Sequence, residues 1–470
     1  MLDRRTFTKS LIASATLARP ARPFDVAPSW DSIRQHQVPD WYRNAKFGIF
    51  IHWGLYSVPA WAVPSGTYGT IPKDKWFTYN AYAEWYLNSL RIKDSPTYEH
   101  HIETYGKDFD YYRFADDFNA STAKWDPSQW ASLFKNTGAR YAVLTSKHHD
   151  GFRLWPSTTQ NPHRKSEEIT AKRDLVGDLT AAVRSAGMKM GLYYSGGLDW
   201  TFTEKPIETF ADLRGTAPQS EEYARYADSH WMELIDRYKP SVMWNDITYP
   251  KLGHIPELFA HYYNTVSEGV INNRFGVDFA DFTTPEYSHY DKITPKKWES
   301  CRGLGYSFGY NRQEGPEQVI APDQLVWLLV DIVSKNGNLL LNVGPRADGS
   351  IADIQVDRLH KLGKWLSVNG EGIFDTQPWT TAAPSGSGLP ETRFTSKDDS
   401  LYAFLRDRPA SQTLSVPGLI AAPGTRVRVL GQNVDSKWRQ EGNSILIDAS
   451  GANDKFTVGV RLTPQPKQAT

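Results

Sequence analysis

Asp174-Leu-Val-Gly-Asp-Leu-Thr-Ala-Ala-Val-Arg-Ser-Ala-Gly187, followed by Met188-Lys-Met-Gly-Leu-Tyr-Tyr194, reads as a helix running directly into a strand. Asp174 is placed to cap the helix start and Gly187 to close its end. The short apolar and aromatic run at 189–194 then reads as a strand. The alternation extends from about Trp41 to Asn369. Strand-like runs are expected at 47–52, 141–146, 189–194, 241–245, 269–273, 284–287 and 338–343. Helical patterns fall between them at 125–136, 175–186, 221–238, 255–265 and 322–334. Strands alternating with helices imply βα units on a parallel sheet, and this number of buried strands predicts an α/β fold with a (β/α)8-type barrel. An open doubly wound sheet is the alternative, but no Gly-x-Gly-x-x-Gly turn follows the first run.

After Trp379 the composition changes. Residues 380–390 are rich in Ala, Pro, Gly, Ser and Thr, as in a linker. Short strand-like runs then recur at 401–405, 412–416, 427–430, 444–448 and 456–462, which predicts a small C-terminal β-sandwich packed against the barrel. The expected organisation is a leader over 1–24, a catalytic domain over 25–380 and the sandwich over 381–470. The leader reading rests on Arg4-Arg5-Thr6-Phe7-Thr8-Lys9, a weakly apolar stretch from Leu11 to Ala18, and small residues at Ala18 and Ala21. It looks like a bacterial twin-arginine signal, so a periplasmic or secreted protein is expected. The apolar stretch is far shorter than the roughly 20 residues needed to span a bilayer.

Composition narrows the function classes. The chain has 470 residues with 53 Lys plus Arg against 53 Asp plus Glu, so no overall field draws it to nucleic acid or an anionic membrane. A single cysteine excludes an intrachain disulfide framework. The 17 Trp and 24 Tyr are enough both to fill a large core and to line a carbohydrate site. Trp125, Trp130, Trp231, Trp327 and Trp365 lie on helical patterns and read as core.

In a barrel of this type the catalytic groups sit where strands end. His52 follows one run; His148, His149 and Asp150 follow the next; Tyr193 and Tyr194 end a third. Asp246 follows Val242-Met-Trp-Asn245, Arg274 follows Val270-Ile-Asn-Asn273, and Glu286 lies in Phe282-Thr-Thr-Pro-Glu-Tyr287. Two carboxylates at different strand ends suit glycoside hydrolysis, one attacking or acting as base while the other donates a proton. Partial burial would keep Glu286 protonated, and the hydrogen-bonding and aromatic setting of Trp244 and Asn245 would hold Asp246 ionised. For either carboxylate alone a helix cap or a structural ion pair is the competing reading. Adjacent His148 and His149 point to opposite faces unless the chain turns, and no His-x-x-x-His or cysteine partner accompanies them. Hydrogen bonding to sugar hydroxyls therefore fits better than a metal, and neither metal nor cofactor is expected.

These same segments carry a family pattern. Trp41-Tyr-Arg-Asn-Ala-Lys-Phe-Gly-Ile-Phe-Ile-His-Trp-Gly54, Glu84-Trp-Tyr86, Lys147-His-His-Asp-Gly-Phe152 and Arg173-Asp-Leu-Val-Gly-Asp178 occur in order. They are followed by Tyr193-Tyr-Ser-Gly-Gly-Leu-Asp-Trp200, Trp244-Asn-Asp246, Ser307-Phe-Gly-Tyr-Asn-Arg312 and Leu339-Leu-Leu-Asn-Val-Gly-Pro345. Over about 41–379 the chain resembles the α-L-fucosidases of glycoside hydrolase family 29, in the group with relaxed linkage preference. The resemblance implies an exo-acting, retaining enzyme that releases terminal fucose from fucosylated oligosaccharides or glycoconjugates. It implies Asp246 as nucleophile, forming a covalent β-fucosyl-enzyme, and Glu286 as acid/base, with Glu299 and Glu314 as the other candidates. It further implies that His52, Glu84, Trp85, His148, His149, Tyr193 and Arg274 contact the sugar. Phe50, Trp244 and Phe308 would then wall the C6 methyl group.

Overall fold

The computed structural model describes residues 25–385, 389–406, 412–450 and 456–469. The expected leader over 1–24 lies outside the described residues. Seven parallel strands form the main sheet: β1 (Phe47–Ile51), β2 (Tyr141–Lys147), β3 (Lys189–Ser195), β4 (Val242–Asp246), β5 (Val270–Ile271), β6 (Trp298–Gly303) and β7 (Gly337–Val343). Their order is β5-β4-β3-β2-β1-β7-β6. Every residue of β1, β2, β4 and β7 is buried, as expected for a parallel sheet covered by helices. The helices between them start and stop on local chemistry. Asp126 caps Pro127–Thr137 through Ser128 N–H, and Asp174 caps Leu175–Ser185 through Gly177 N–H.

The expected strand at 284–287 is the one point where the barrel pattern departs from the regular form. Residues 281–287 run between the edge strands β5 and β6 as a ladder of single bridges. Asp281 N–H donates to Ile271 O at 2.9 Å, Glu299 N–H to Thr283 O at 2.8 Å, Cys301 N–H to Pro285 O at 3.1 Å and Tyr287 N–H to Cys301 O at 3.0 Å. Pro285 has no N–H to give a ladder, and Tyr287 sits at φ 46°, where an extended strand cannot continue. The segment thus fills the eighth barrel position irregularly. The regular strand missing from the expected runs is β6, whose letters Trp-Glu-Ser-Cys-Arg-Gly show no apolar run. The five tryptophans read as core are all buried. The helix Asp353–Asn369 was not expected from the pattern.

Beyond the barrel, five antiparallel strands lie in the order Arg426–Val429, Val458–Thr463, Ser400–Leu405, Thr392–Lys397 and Gln377–Pro378. A three-stranded sheet, Thr413–Pro417, Ser444–Asp448 and Trp438–Glu441, faces them across a second apolar core. That core includes Trp379, Phe394, Leu414, Ile445 and Val460. The sandwich is tied to the barrel by Arg393 Nε to Asp331 Oδ1 at 2.6 Å, Trp365 Nε1 to Thr457 O at 2.7 Å and Thr395 Oγ1 to Gly372 O at 2.6 Å.

Gly48 shows how tightly the barrel centre is filled: a Cβ there would lie 2.5 Å from the Tyr141 ring. Tyr141 cannot retreat, because its hydroxyl donates to the buried Glu299 carboxylate. Gly48→Ala is therefore expected to cost about 1–3 kcal/mol in denaturant unfolding, as overpacking of a dense core does; an unchanged midpoint would contradict this packing.

Candidate active site

β1 delivers His52 and β7 delivers the residue that orients it. Asn342 Nδ2 donates to Phe308 O at 2.6 Å, so its Oδ1 accepts the Nδ1–H of His52 at 2.7 Å. β3 does the same for His149: Ser195 Oγ donates to Leu198 O at 2.6 Å and accepts Nδ1–H of His149 at 2.6 Å. Burial pushes His52 down to about 3 and His149 down to about 4, so both rings are neutral at neutral pH. With Nδ1 protonated, each offers Nε2 to the cavity as a hydrogen-bond acceptor.

His148 and His149 reach the same cavity because the chain turns immediately after β2. Their ring centroids are 4.0 Å apart. Gly151 makes the turn at φ 79°, and a Cβ there would meet Asp199 Oδ1 at 2.8 Å. Asp199 is itself fixed by Lys147 Nζ at 2.7 Å, a pair wholly removed from solvent, while Trp200 N–H donates to His149 O at 2.7 Å. Nδ1 of His148 is buried and has no hydrogen-bond partner among the described residues.

Asp246 ends β4 and is 7% exposed. Its Oδ1 accepts from Arg274 Nη1 at 2.8 Å and from Ile247 N–H at 2.9 Å; its Oδ2 accepts from the Tyr193 hydroxyl at 2.8 Å. Burial alone would raise this carboxyl, but the Arg274 charge and these hydrogen bonds outweigh it and hold it below the usual carboxylate range. His149 Nε2 lies 3.9 Å from Oδ2, and being neutral it acts there as a dipole rather than as an ion-pair partner. Ile247 and Thr248 follow at φ 62° and 105°. A β-branched residue in that region is strained by about 1–3 kcal/mol, a cost tolerated where it turns the chain and aims Ile247 N–H at the carboxylate.

Arg274, on the turn after β5, also reaches the second carboxylate. Its Nη2 donates to Glu286 Oε2 at 3.0 Å, its Nε donates to Thr284 Oγ1 at 2.9 Å, and its guanidinium lies 4.7 Å from the Trp244 ring centroid. The other oxygen of Glu286 accepts from the Tyr82 hydroxyl at 3.0 Å. Both carboxylates open on one cavity of about 500 Å³, within the range of small-ligand pockets. Phe50, His52, Glu84, Trp85, His148, His149, Tyr193, Trp244, Arg274 and Phe308 all line it beside Asp246 and Glu286, whereas Asp150 and Tyr194, also expected at strand ends, do not.

The alternative acids lie elsewhere. Glu299, on β6, is sealed inside the barrel, where the Tyr42 and Tyr141 hydroxyls and Trp244 Nε1 all donate to it. Glu314 accepts Ser307 N–H at 2.6 Å from behind the loop, and burial pushes it up to about 8. Neither lines the cavity. Glu84 does, with Gly309 N–H at 2.7 Å and the Ser307 hydroxyl at 3.2 Å on one oxygen; burial raises it to about 7. The sequence reading missed Tyr82, Ser195 and Asn342 as site residues. Tyr82 lies on a long loop, far from any strand end, and its one signal is the Glu84-Trp-Tyr86 segment two residues on; Ser195 and Asn342 follow apolar runs and were open to the same strand-end rule.

Residues 13–371 match the model of the α-L-fucosidase family. A tissue α-L-fucosidase from Bos taurus is 34% identical over 435 residues, covering 89% of this chain and 86% of that protein. The Homo sapiens tissue α-L-fucosidase is 32% identical over 474 residues, covering 96% and 94%. Among solved structures, a Thermotoga maritima α-L-fucosynthase in complex with α-L-Fuc-(1-2)-β-L-Fuc-N3 superposes with a TM-score of 0.86 at 45% identity, covering 93% of this chain and 99% of that one. A Thermotoga maritima α-fucosidase in complex with a mechanism-based inhibitor gives 0.85 at 45% identity, with the same coverage.

Since Arg274 is the charge that offsets burial at Asp246, Arg274→Gln is expected to move the acidic limb of the kcat/KM profile on an aryl glycoside upward by about 1–3 pH units. The sign follows from the needed form: without the cation the carboxyl stays protonated to higher pH, and activity is lost sooner on acidification. An acidic limb left in place would contradict the assignment of that charge.

Proposed function

The chain belongs to the α-L-fucosidase family, and within its retaining double displacement we propose that Asp246 is the nucleophile and Glu286 the general acid/base. The observation that carries this reading is the shared guanidinium: Arg274 donates to Asp246 at 2.8 Å and to Glu286 at 3.0 Å. That arrangement suits the spacing of roughly 5–5.5 Å between carboxyl groups that retention uses, rather than the wider gap that seats a water.

In the first step an Asp246 carboxylate oxygen attacks the anomeric carbon of fucose while the glycosidic oxygen departs with the Glu286 proton. A β-fucosyl ester on Asp246 results. In the second step Glu286 takes a proton from water, the hydroxide attacks the same carbon, and Asp246 leaves as carboxylate. Esterification removes the charge on Asp246, so Glu286 is then the remaining anionic partner of Arg274 at the moment it acts as base. The Nε2 acceptors of His52 and His149 bind ring hydroxyls. Phe50, 5.0 Å from the Trp244 ring centroid and 6.4 Å from that of Phe308, forms with them an apolar wall for the C6 methyl group. An α-L-galactoside, which differs from the fucoside only by a C6 hydroxyl, would bring that hydroxyl to the wall without a partner, a penalty of about 1–3 kcal/mol.

The substrates we propose are terminal α-L-fucosides of oligosaccharides and glycoconjugates. Export is proposed on the order of parts in residues 1–24: paired arginines, a short apolar stretch and small residues. The catalytic domain would run from residue 25 to about 376 rather than to 380, because Gln377–Pro378 pairs within the sandwich sheet and Trp379 lies in the sandwich core. Among the described residues no helix is long and apolar enough to cross a membrane.

Asp246→Gly is expected to reduce turnover of an aryl α-L-fucoside by on the order of 10³-fold or more, with azide or formate restoring part of it; full activity would sink the nucleophile assignment. Glu286→Ala should cost about 10²–10⁴-fold on fucosides with poor leaving groups and much less on activated aryl fucosides. Equal losses on the two substrate classes would exclude it as the proton donor.

A further inference from the structure

The cavity has a second half that the fucose ring does not account for. From the Tyr82 hydroxyl, which donates to Glu286, a run of rings leads outward: Tyr82 to Trp76 at 5.2 Å, Trp76 to Tyr68 at 5.4 Å and Tyr68 to Phe210 at 6.5 Å between centroids. Phe77 backs Phe210 at 5.0 Å, and Leu213 completes the wall. The rings come from two separate connections, the one after β1 and the one after β3, the latter through the short helix Phe210–Gly215. The Tyr82 hydroxyl sets one end of this run against Glu286, while Phe77 meets Trp85 at 5.7 Å at the other. Trp76 and Phe77 are buried, whereas Tyr68 is 45% exposed. Large aromatic side chains left open beside a cleft mark a surface that another apolar face covers.

Position decides which face. A general acid must lie against the glycosidic oxygen it protonates. The group bonded to that oxygen therefore leaves on the Glu286 side, where the aromatic wall begins. Among the described residues lining that wall no charged side chain other than Glu286 occurs. Building on the assignment of Glu286 as acid/base, we infer that the Tyr68–Phe210 wall is the leaving-group subsite. It takes an uncharged pyranose that stacks its C–H face on Tyr68. Among the described side chains of that wall a sulfated or carboxylated sugar would meet no countercharge, and it would lose hydration against the rings.

α-L-Fucosyl fluoride tests this, because its leaving group is too small to touch the wall while it still needs the nucleophile. Tyr68→Ala is expected to lower kcat/KM for a neutral fucosyl disaccharide by about 10-fold, mostly through KM, and to leave fucosyl fluoride within about 2-fold. Tyr68→Phe, which keeps the ring face, should retain the disaccharide activity. Undiminished disaccharide hydrolysis by Tyr68→Ala, or an equal loss on the fluoride, would overturn the subsite. The underlying assignment fails separately: a Glu286→Ala enzyme that loses fluoride and disaccharide turnover to the same extent would remove Glu286 as the acid, whatever Tyr68 does.

Discussion

Arg274 bonds two carboxylates at once, and much of the site's architecture serves to keep it there. A guanidinium is planar and always charged, so it can hold Asp246 on one nitrogen and Glu286 on another without changing its own state. Its Nε is fixed by Thr284 Oγ1, which itself donates to Asn273 Oδ1 at 2.9 Å. Trp244 closes one face of the guanidinium. The clamp spans three barrel positions: the end of β4, the turn after β5 and the irregular 281–287 segment. Irregularity at that last position has a use. A regular strand would alternate its side chains on a fixed pleat, whereas single bridges to β6 let Glu286 be carried at the rim while Pro285 and Tyr287 pin its backbone neighbours to Cys301.

Beneath the clamp lie polar groups that never meet substrate. Glu299 receives three donors, one of them Trp244 Nε1, and so orients the ring that packs on both Arg274 and Phe50. Lys147 and Asp199 form an ion pair with no solvent access, with Tyr194 4.5 Å from the ammonium. Buried pairs of this kind are poor evidence for net stability. Here the pair fixes the turn that brings two consecutive histidines onto one cavity. The aromatic abundance seen in the composition is divided between these roles, a barrel core and a site wall.

The legible part of this molecule was the part governed by periodicity and strand ends. Runs such as Tyr141–Lys147 and Val242–Asp246 are apolar because both faces of a parallel strand are covered, and the first polar residue after each falls at the cavity. That logic leads to His52, His148, Asp246 and Arg274 from letters alone. It fails for β6, whose Glu299 and Cys301 face inward and whose polar letters conceal a buried strand. It favours Glu286 by its place in a strand-like run but keeps Glu299 and Glu314 as alternatives; only their partners in space separate a rim carboxylate from two enclosed ones. Tyr82 and Tyr68 sit on a long connection with neither period nor terminus to mark them. Their meaning comes from which loop lies over which carboxylate, a tertiary fact.

Covalent trapping tests the centre of this mechanism most directly. A 2-deoxy-2-fluoro-α-L-fucosyl fluoride slows both steps, and the second more than the first, so the ester accumulates and the labelled peptide can be located by mass spectrometry. One fluorofucosyl group is expected per chain, on the peptide carrying Val242–Asp246 and at Asp246 itself. Label at Glu286, Glu84 or another carboxylate would show that the clamp holds a different nucleophile.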